Sequence, residues 1–222
     1  GLTFYRTPWT PGTIDRVPLL RERAQMRALE KRLLEVASDI RPDVIHAHSP
    51  VLNAFPALLV ARRLDIPVVY EIRAFWEDAA VDLGTTTEGS LRYRATRAME
   101  TRAVFTVDAV TTICDGLRRD LVERGVPESK ITVIPNAVDI DNFAYRVPAD
   151  EALRAELGLS GKRVLGFIGS FYAYEGLDLL LRALPAILRD APDVAVLLTG
   201  GGPQEQNLKV LVQELGLQDH VK

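Results

Sequence analysis

The chain has 222 residues, 47% of them hydrophobic and 26% charged, with a formal net charge of −3. That length suits one large domain or two small ones, and the mildly acidic balance gives no electrostatic case for nucleic acid. One cysteine excludes an internal disulfide framework and, with three histidines, argues against a structural zinc site, while no apolar run nears the ~20 residues that cross a bilayer.

The opening GLTFYRTPWTPG lacks the basic and apolar regions of a secretory signal. From Pro18 to Ile40, apolar residues recur at steps of three and four (Leu19, Met26, Leu29, Leu33, Val36), which predicts an amphipathic helix. Asp43–His48 reads as a short buried strand ending in two imidazoles. Ser49 and Pro50 then suit the cap and first turn of a helix running to Leu64. Pro67–Ile72 is the next strand and ends in Glu71 and Arg73. Phe75 to Gly89 is read as a loop with a helical turn.

A long helix is expected from Ser90 to about Val107, bearing Arg92, Arg94, Arg97 and Arg102. Those arginines could meet an anionic substrate or lipid head groups. A solvated face is preferred, because Glu100 and the overall acidic balance dilute the charge. Asp108–Ile113 is a strand, and Asp115 is expected to cap a helix closed by Gly125. Ile131–Ile134 follows as a β-branched run stopped by Pro135, with Asn136 and Asp139 as turn formers. Glu151–Leu157, Arg163–Ile168, Gly176–Arg189, Asp193–Thr199 and Gln204–Leu215 continue as helix, strand, helix, strand and helix. Both termini read as interrupted elements, so the chain is expected to be a segment of a longer protein.

Strands joined by helices of this length require parallel sheets with covered faces. Ligands of such sheets sit at the carboxyl ends of the strands. That rule selects His46, His48, Glu71, Arg73, Ile113–Cys114, Asn136, Gly169–Glu175 and Gly200–Gly202. His46 and His48 are expected to point to opposite faces of their strand, so that at most one faces a given pocket. Glu71 and Arg73 share a face and suit either an ion pair at the sheet rim or catalysis. Trp76, Glu77 and Asp78 suit an aromatic wall with two carboxylates, or the start of a loop helix. The turns at Gly169–Gly176 and Gly200–Pro203 could bring backbone close to a phosphate or be ordinary strand-to-helix turns. Cys114 is expected to be a buried or half-buried, inert thiol.

Taken in order and spacing, these motifs resemble the retaining nucleotide-sugar glycosyltransferases of family 4, with the GT-B fold. DVIHAH and DIPVVYE look like that family's second and third amino-domain strands. Ala109–Gly125 followed by ITVIPNAVD and Phe143 is similar to its most recognisable signature. Gly166–Leu184 and LTGGGP look like the start of its donor-binding domain. Gly169–Leu181 with Tyr70–Asp78 is similar to the exosortase- and exopolysaccharide-associated branch.

The resemblance implies an α/β fold with two incomplete Rossmann-like domains, an acceptor-side domain over 1–145 and a donor-binding domain over 146–222. It implies transfer of a sugar from a nucleoside-diphosphate sugar, with retention, to a glycan or lipid-linked acceptor. No metal or other cofactor is expected. Gly169, Ser170, Phe171, Tyr172, Glu175, Gly176, Gly200, Gly201 and Gly202 would bind the donor. His46, Trp76 and Glu77 would lie on the acceptor side, with Asn136, Ala137 and Asp139 at the cleft or hinge. Arg73, Glu71 and His48 are the catalytic candidates, and Glu175, which stands where the family commonly has lysine, is expected to touch sugar hydroxyls. A cytoplasmic protein is implied, with a peripheral contact at the inner membrane face allowed. The alternatives are a non-catalytic nucleotide-sugar-binding module and a nucleotide-sugar epimerase of the same fold.

Overall fold

The computed structural model describes residues 1–9, 12, 18–143 and 147–222. The chain divides into two compact units, Gly1–Ala137 and Val138–Lys222. The expected boundary at 145/146 falls outside the described residues.

The first unit runs α1 (Pro18–Ile40), β1 (Ile45–His48), α2 (Val51–Leu64), β2 (Val68–Ile72), α3 (Trp76–Asp82), α4 (Leu91–Thr106), β3 (Ala109–Thr112), α5 (Asp115–Glu123) and β4 (Ile131–Val133). Its four strands form one parallel sheet in the order β1-β2-β3-β4. Parallel neighbours cannot be joined by a tight turn, so each crossover carries helix. Val68, Tyr70, Ile72 and Val110 are almost completely shielded from solvent. Ala54, Ala57, Ala61 and Ala103 from α2 and α4 belong to the same core, and their small side chains let the helices approach the sheet closely. Each fully buried aliphatic side chain contributes about 1.5–3 kcal/mol.

Capping departs from expectation at two helices. Ser49 does not cap α2. Pro50 occupies the N-cap, and Ser49 Oγ instead accepts from the Arg73 amide at 3.3 Å. At α5 the N-cap is Cys114, which makes no side-chain cap bond, and Asp115 is already helical. Its carboxylate still sits favourably in the first turn against the helix dipole. Ser90 does cap α4, accepting from the Tyr93 amide. The span read as a loop after Phe75 contains the seven-residue helix α3.

The second unit contains α6 (Glu151–Glu156), β5 (Arg163–Ser170), α7 (Leu177–Asp190), β6 (Val194–Gly201) and α8 (Glu205–Glu214). β5 and β6 pair in parallel from Arg163↔Val194 through Ser170↔Gly201. Val221 adds a parallel bridge to Val196. Leu177, Leu181 and Leu184 recur along one face of α7 and are buried, as are Leu208 and Leu211 of α8.

Candidate functional site

In the first unit the polar residues gather at the carboxyl ends of β1, β2 and β4. The register pairs His48 with Glu71 and His46 with Val69. Residues two apart on a strand lie on one face, and partners across a pair share it. His46, His48, Glu71 and Arg73 therefore project together. The expectation of opposite faces for the two histidines is wrong, since that alternation holds for adjacent residues. Their rings stack with centroids 4.5 Å apart.

Glu71 is the hub. Its Oε2 lies 3.2 Å from His46 Nε2 and 3.3 Å from His48 Nδ1, while Oε1 accepts from Arg73 at 2.9 Å. The bond from Arg73 is the chief reason its carboxyl sits below the ordinary range; burial opposes this, and His48 and His46 add smaller lowering effects. Arg73 also donates to Asn136 Oδ1 at 2.8 Å. Its guanidinium thus joins the end of β2 to the segment after β4. Asn53 Nδ2 donates to the His48 carbonyl at 3.0 Å. Sequence reasoning missed Ser49 and Asn53 as members of the cluster, although Ser49 directly follows His48.

Behind this polar rim lies a buried network. Glu77 is fully buried and receives Arg124 Nη1 at 2.9 Å. The Arg124 guanidinium also lies 4.0 Å from the Phe75 ring centroid, in a cation–π contact. Glu77 is therefore structural rather than acceptor-facing, whereas Trp76 is 45% exposed. Glu100 is likewise fully buried, accepting from Tyr70 Oη at 2.6 Å. Burial pushes its carboxyl up to about 7; the bond from Tyr70 opposes this and neighbouring Glu77 reinforces it. The expectation that Glu100 dilutes the arginines of α4 fails, because its charge is withdrawn into the core. Cys114, expected to be at least half-buried, is exposed.

In the second unit the glycines close the strands. A Cβ on Gly200 would lie 1.9 Å from the Gly169 carbonyl oxygen, and one on Gly202 would lie 2.8 Å from the Phe171 nitrogen. Both contacts require glycine for close approach of two chain segments. Phe171 belongs to the core with Leu181 and Leu208 and is buried. Ser170, Gly169, Gly200 and Glu175 are exposed, Gly201 is half-buried, and Gly176 is the N-cap of α7 in the left-handed conformation at φ 69°. Tyr172 stacks on Tyr174 at 5.3 Å and lines a cavity of about 350 Å³ with Arg182, Gln204 and Asn207. Those last three were not singled out from sequence. Asp139 opens a turn, accepting from the Asp141 amide and Asn142 Nδ2. Ala137 keeps a negative φ, as Arg41 and Asp65 are the non-glycine residues with positive φ among those described.

A family model described as glycosyl transferase 4-like domain matches residues 1–137, and one described as glycosyl transferases group 1 matches residues 149–222. The chain belongs to this glycosyltransferase family. Among curated relatives of this glycosyltransferase chain, a D-inositol 3-phosphate glycosyltransferase of Kineococcus radiotolerans is 32% identical over 195 residues, covering 81% of the chain and 43% of the relative. A GDP-mannose-dependent alpha-(1-6)-phosphatidylinositol monomannoside mannosyltransferase of Mycolicibacterium smegmatis is 32% identical over 114 residues, covering 51% and 30%. The chain thus spans less than half the length of either relative. Anabaena Alr3699/HepE, solved in complex with UDP, superposes with a TM-score of 0.70 at 20% identity, covering 88% of this chain and 50% of that one. The fold is accordingly that of the GT-B glycosyltransferases. Among the described residues, no helix is long and apolar enough to cross a membrane.

Proposed function

We propose that the protein is a glycosyltransferase that moves a hexose from a nucleoside-diphosphate sugar to a glycan or lipid-linked acceptor, with retention. The observation that carries this reading is the succession of the two family matches, one over each α/β unit. The printed names of the relatives support the donor class: one is GDP-mannose-dependent, and Anabaena HepE was solved with UDP and with UDP-glucose. A nucleoside diphosphate bearing a hexose is common to both.

In this reading the donor lies along the strand ends and turns of the second unit, at Gly169, Ser170, Tyr172, Glu175, Gly176 and Gly200–Gly202. The 14-residue helix α7 begins at Leu177, and its amino-terminal dipole favours a departing diphosphate without a metal. Glu175 beside that diphosphate would be repulsive and is assigned to sugar hydroxyls. The acceptor meets the first unit at His46, His48, Glu71, Arg73 and Trp76. Asn136, Ala137 and Asp139 lie at the junction of the two units.

A cytoplasmic protein working at the inner membrane face, in exopolysaccharide assembly, completes the proposal. Support for the membrane contact comes from α4. Its one carboxylate, Glu100, is buried, which leaves Arg92, Arg94, Arg97 and Arg102 exposed beside Leu91 and Phe105.

The test is transfer of labelled sugar by the full-length protein from a panel of UDP-, GDP- and ADP-hexoses to lipid-linked acceptors, with anomeric configuration read by NMR. Release of the diphosphate coupled to an axially retained linkage is expected. Donor binding with neither transfer nor hydrolysis would leave a binding module. Conversion of the donor sugar itself would make the protein an epimerase.

A further inference from the structure

We propose that His46, His48 and Glu71 form a binding site for a divalent transition-metal ion, with zinc as the best-matched candidate. The inference does not rest on the glycosyltransferase reading, although it uses residues that this reading places on the acceptor side. It departs from the expectation that the protein holds no metal, and it concerns an exposed site rather than the structural zinc site that three histidines and one cysteine made improbable.

Three ligand atoms, one from each residue, lie within 4.8 Å of one another. Two imidazoles with one carboxylate make a donor set suited to zinc, and such sites often leave a further position open. Zinc–nitrogen and zinc–oxygen bonds of about 2.0–2.1 Å at tetrahedral angles put neighbouring ligand atoms about 3.3 Å apart. The distances from Glu71 Oε2 to His46 Nε2 and His48 Nδ1 are 3.2 and 3.3 Å. Those edges already have the length that a bound ion requires.

The surroundings fix the carboxylate in place: Arg73 Nη1 donates to Glu71 Oε1 at 2.9 Å. Arg73 occupies Oε1 and leaves Oε2 to the metal, in the manner of an outer-shell partner that orients a ligating carboxylate. The same guanidinium repels a cation, so the affinity expected is weaker than that of a buried structural zinc. Side-chain exposures of 46% for His46 and 57% for His48 provide an entry path. A magnesium ion, which prefers six oxygen ligands, would not be held by this set.

The test uses purified full-length protein freed of metal by chelation. Zinc chloride is titrated by calorimetry, and cobalt(II) serves as the spectroscopic probe. One equivalent of zinc is expected to bind, with a cobalt spectrum showing nitrogen ligation and low coordination number. His46→Ala, His48→Ala and Glu71→Gln should each weaken binding at least about tenfold, the scale seen when metal-site partners are removed. His220→Ala should leave it unchanged, since that ring lies against the Val194 carbonyl in the second unit. Thermal melting of each apo variant separates loss of ligation from loss of fold. Failure of the folded wild type to bind one equivalent would overturn the site. So would binding that both histidine variants retain in full. Donor binding, measured on the same metal-free samples, reports on the glycosyltransferase reading separately.

Discussion

Arg73 donates to Asn136 across 63 residues of sequence, at 2.8 Å, while holding Glu71 at 2.9 Å. One guanidinium therefore couples the end of β2 to the chain leaving β4. Lysine could not make both bonds in this geometry, because it lacks the planar fork.

If Arg73 positions the acceptor side, its removal should affect turnover more than donor binding. Arg73→Ala in the full-length enzyme is expected to lower kcat at least tenfold, with the Kd for nucleoside diphosphate within about threefold of wild type, since a tenfold change in rate corresponds to about 1.4 kcal/mol of barrier. Steady-state transfer assays and calorimetry read the two quantities. Unchanged kcat would remove Arg73 from the working site. Asn136→Ala should give a smaller loss in the same direction.

The Glu77–Arg124 pair is the clearest structural ion pair, with side-chain exposures of 0% and 4%. Glu77 Oε2 is also buried and without a hydrogen-bond partner among the described residues. Removing Arg124 would leave a charge stranded in the core. Arg124→Ala is therefore expected to destabilise the first unit by about 3–5 kcal/mol. The cation–π contact with Phe75 is lost in the same change. Urea denaturation followed by tryptophan fluorescence would measure it, and a loss under 1 kcal/mol would refute the role.

Glu100 gives a pH dependence of definite sign. Its carboxyl is raised in the fold from an ordinary 4.5 to about 7, first by burial. Folding therefore favours the protonated form. The contribution to stability is fully present below pH 4.5 and disappears as pH rises through 7. At about 1.4 kcal/mol per pH unit the window is worth roughly 3 kcal/mol. Comparing wild type with Glu100→Gln at pH 5 and pH 8 isolates this group from the other carboxylates. The wild type should lose stability relative to the variant over that interval. A constant difference would contradict the assignment.

Gly200 and Gly202 are required by chain packing whatever ligand binds beside them. Their φ values are 146° and 153°, and a Cβ at either position would meet backbone at 1.9 or 2.8 Å. Gly202→Ala should cost at least about 2 kcal/mol in strain and displaced backbone. Gly166→Ala, where a Cβ would meet nothing within 4 Å, should be tolerated and serves as the control. Chemical denaturation of both variants decides the comparison.

The succession of strands and helices was legible because elements end in punctuation: Pro135 after the β-branched run of β4 and Gly125 beyond α5. The carboxyl-end rule also points to the polar rim, through His46, Glu71 and Asn136. What could not be read was which polar groups turn inward. Glu77 is buried because Arg124, 47 residues later, reaches it. Glu100 is buried because Tyr70 projects from the core face of β2 towards it. Both depend on partners that local patterning does not reveal. The two histidines are a different case, since strand periodicity already puts residues two apart on one face.

Burial of Glu100 alters what α4 presents to its surroundings. Along Leu91–Thr106 the acidic side chain is withdrawn, and the exposed arginines stand beside Leu91 at 85% and Phe105 at 47% exposure. A basic residue near an anionic membrane surface contributes about 1 kcal/mol, so two of them reversed to glutamate should shift binding strongly. The double variant Arg94→Glu, Arg102→Glu is expected to lose at least tenfold in binding to phosphatidylglycerol vesicles, measured by sedimentation at low salt. Neither protein should bind neutral phosphatidylcholine appreciably, if the arginines rather than the exposed Leu91, Met99 and Phe105 supply the attraction. Raising the salt to about 1 M, where the Debye length falls to about 3 Å, should erase the difference. Equal binding of both proteins to anionic vesicles would remove α4 from the proposed membrane contact.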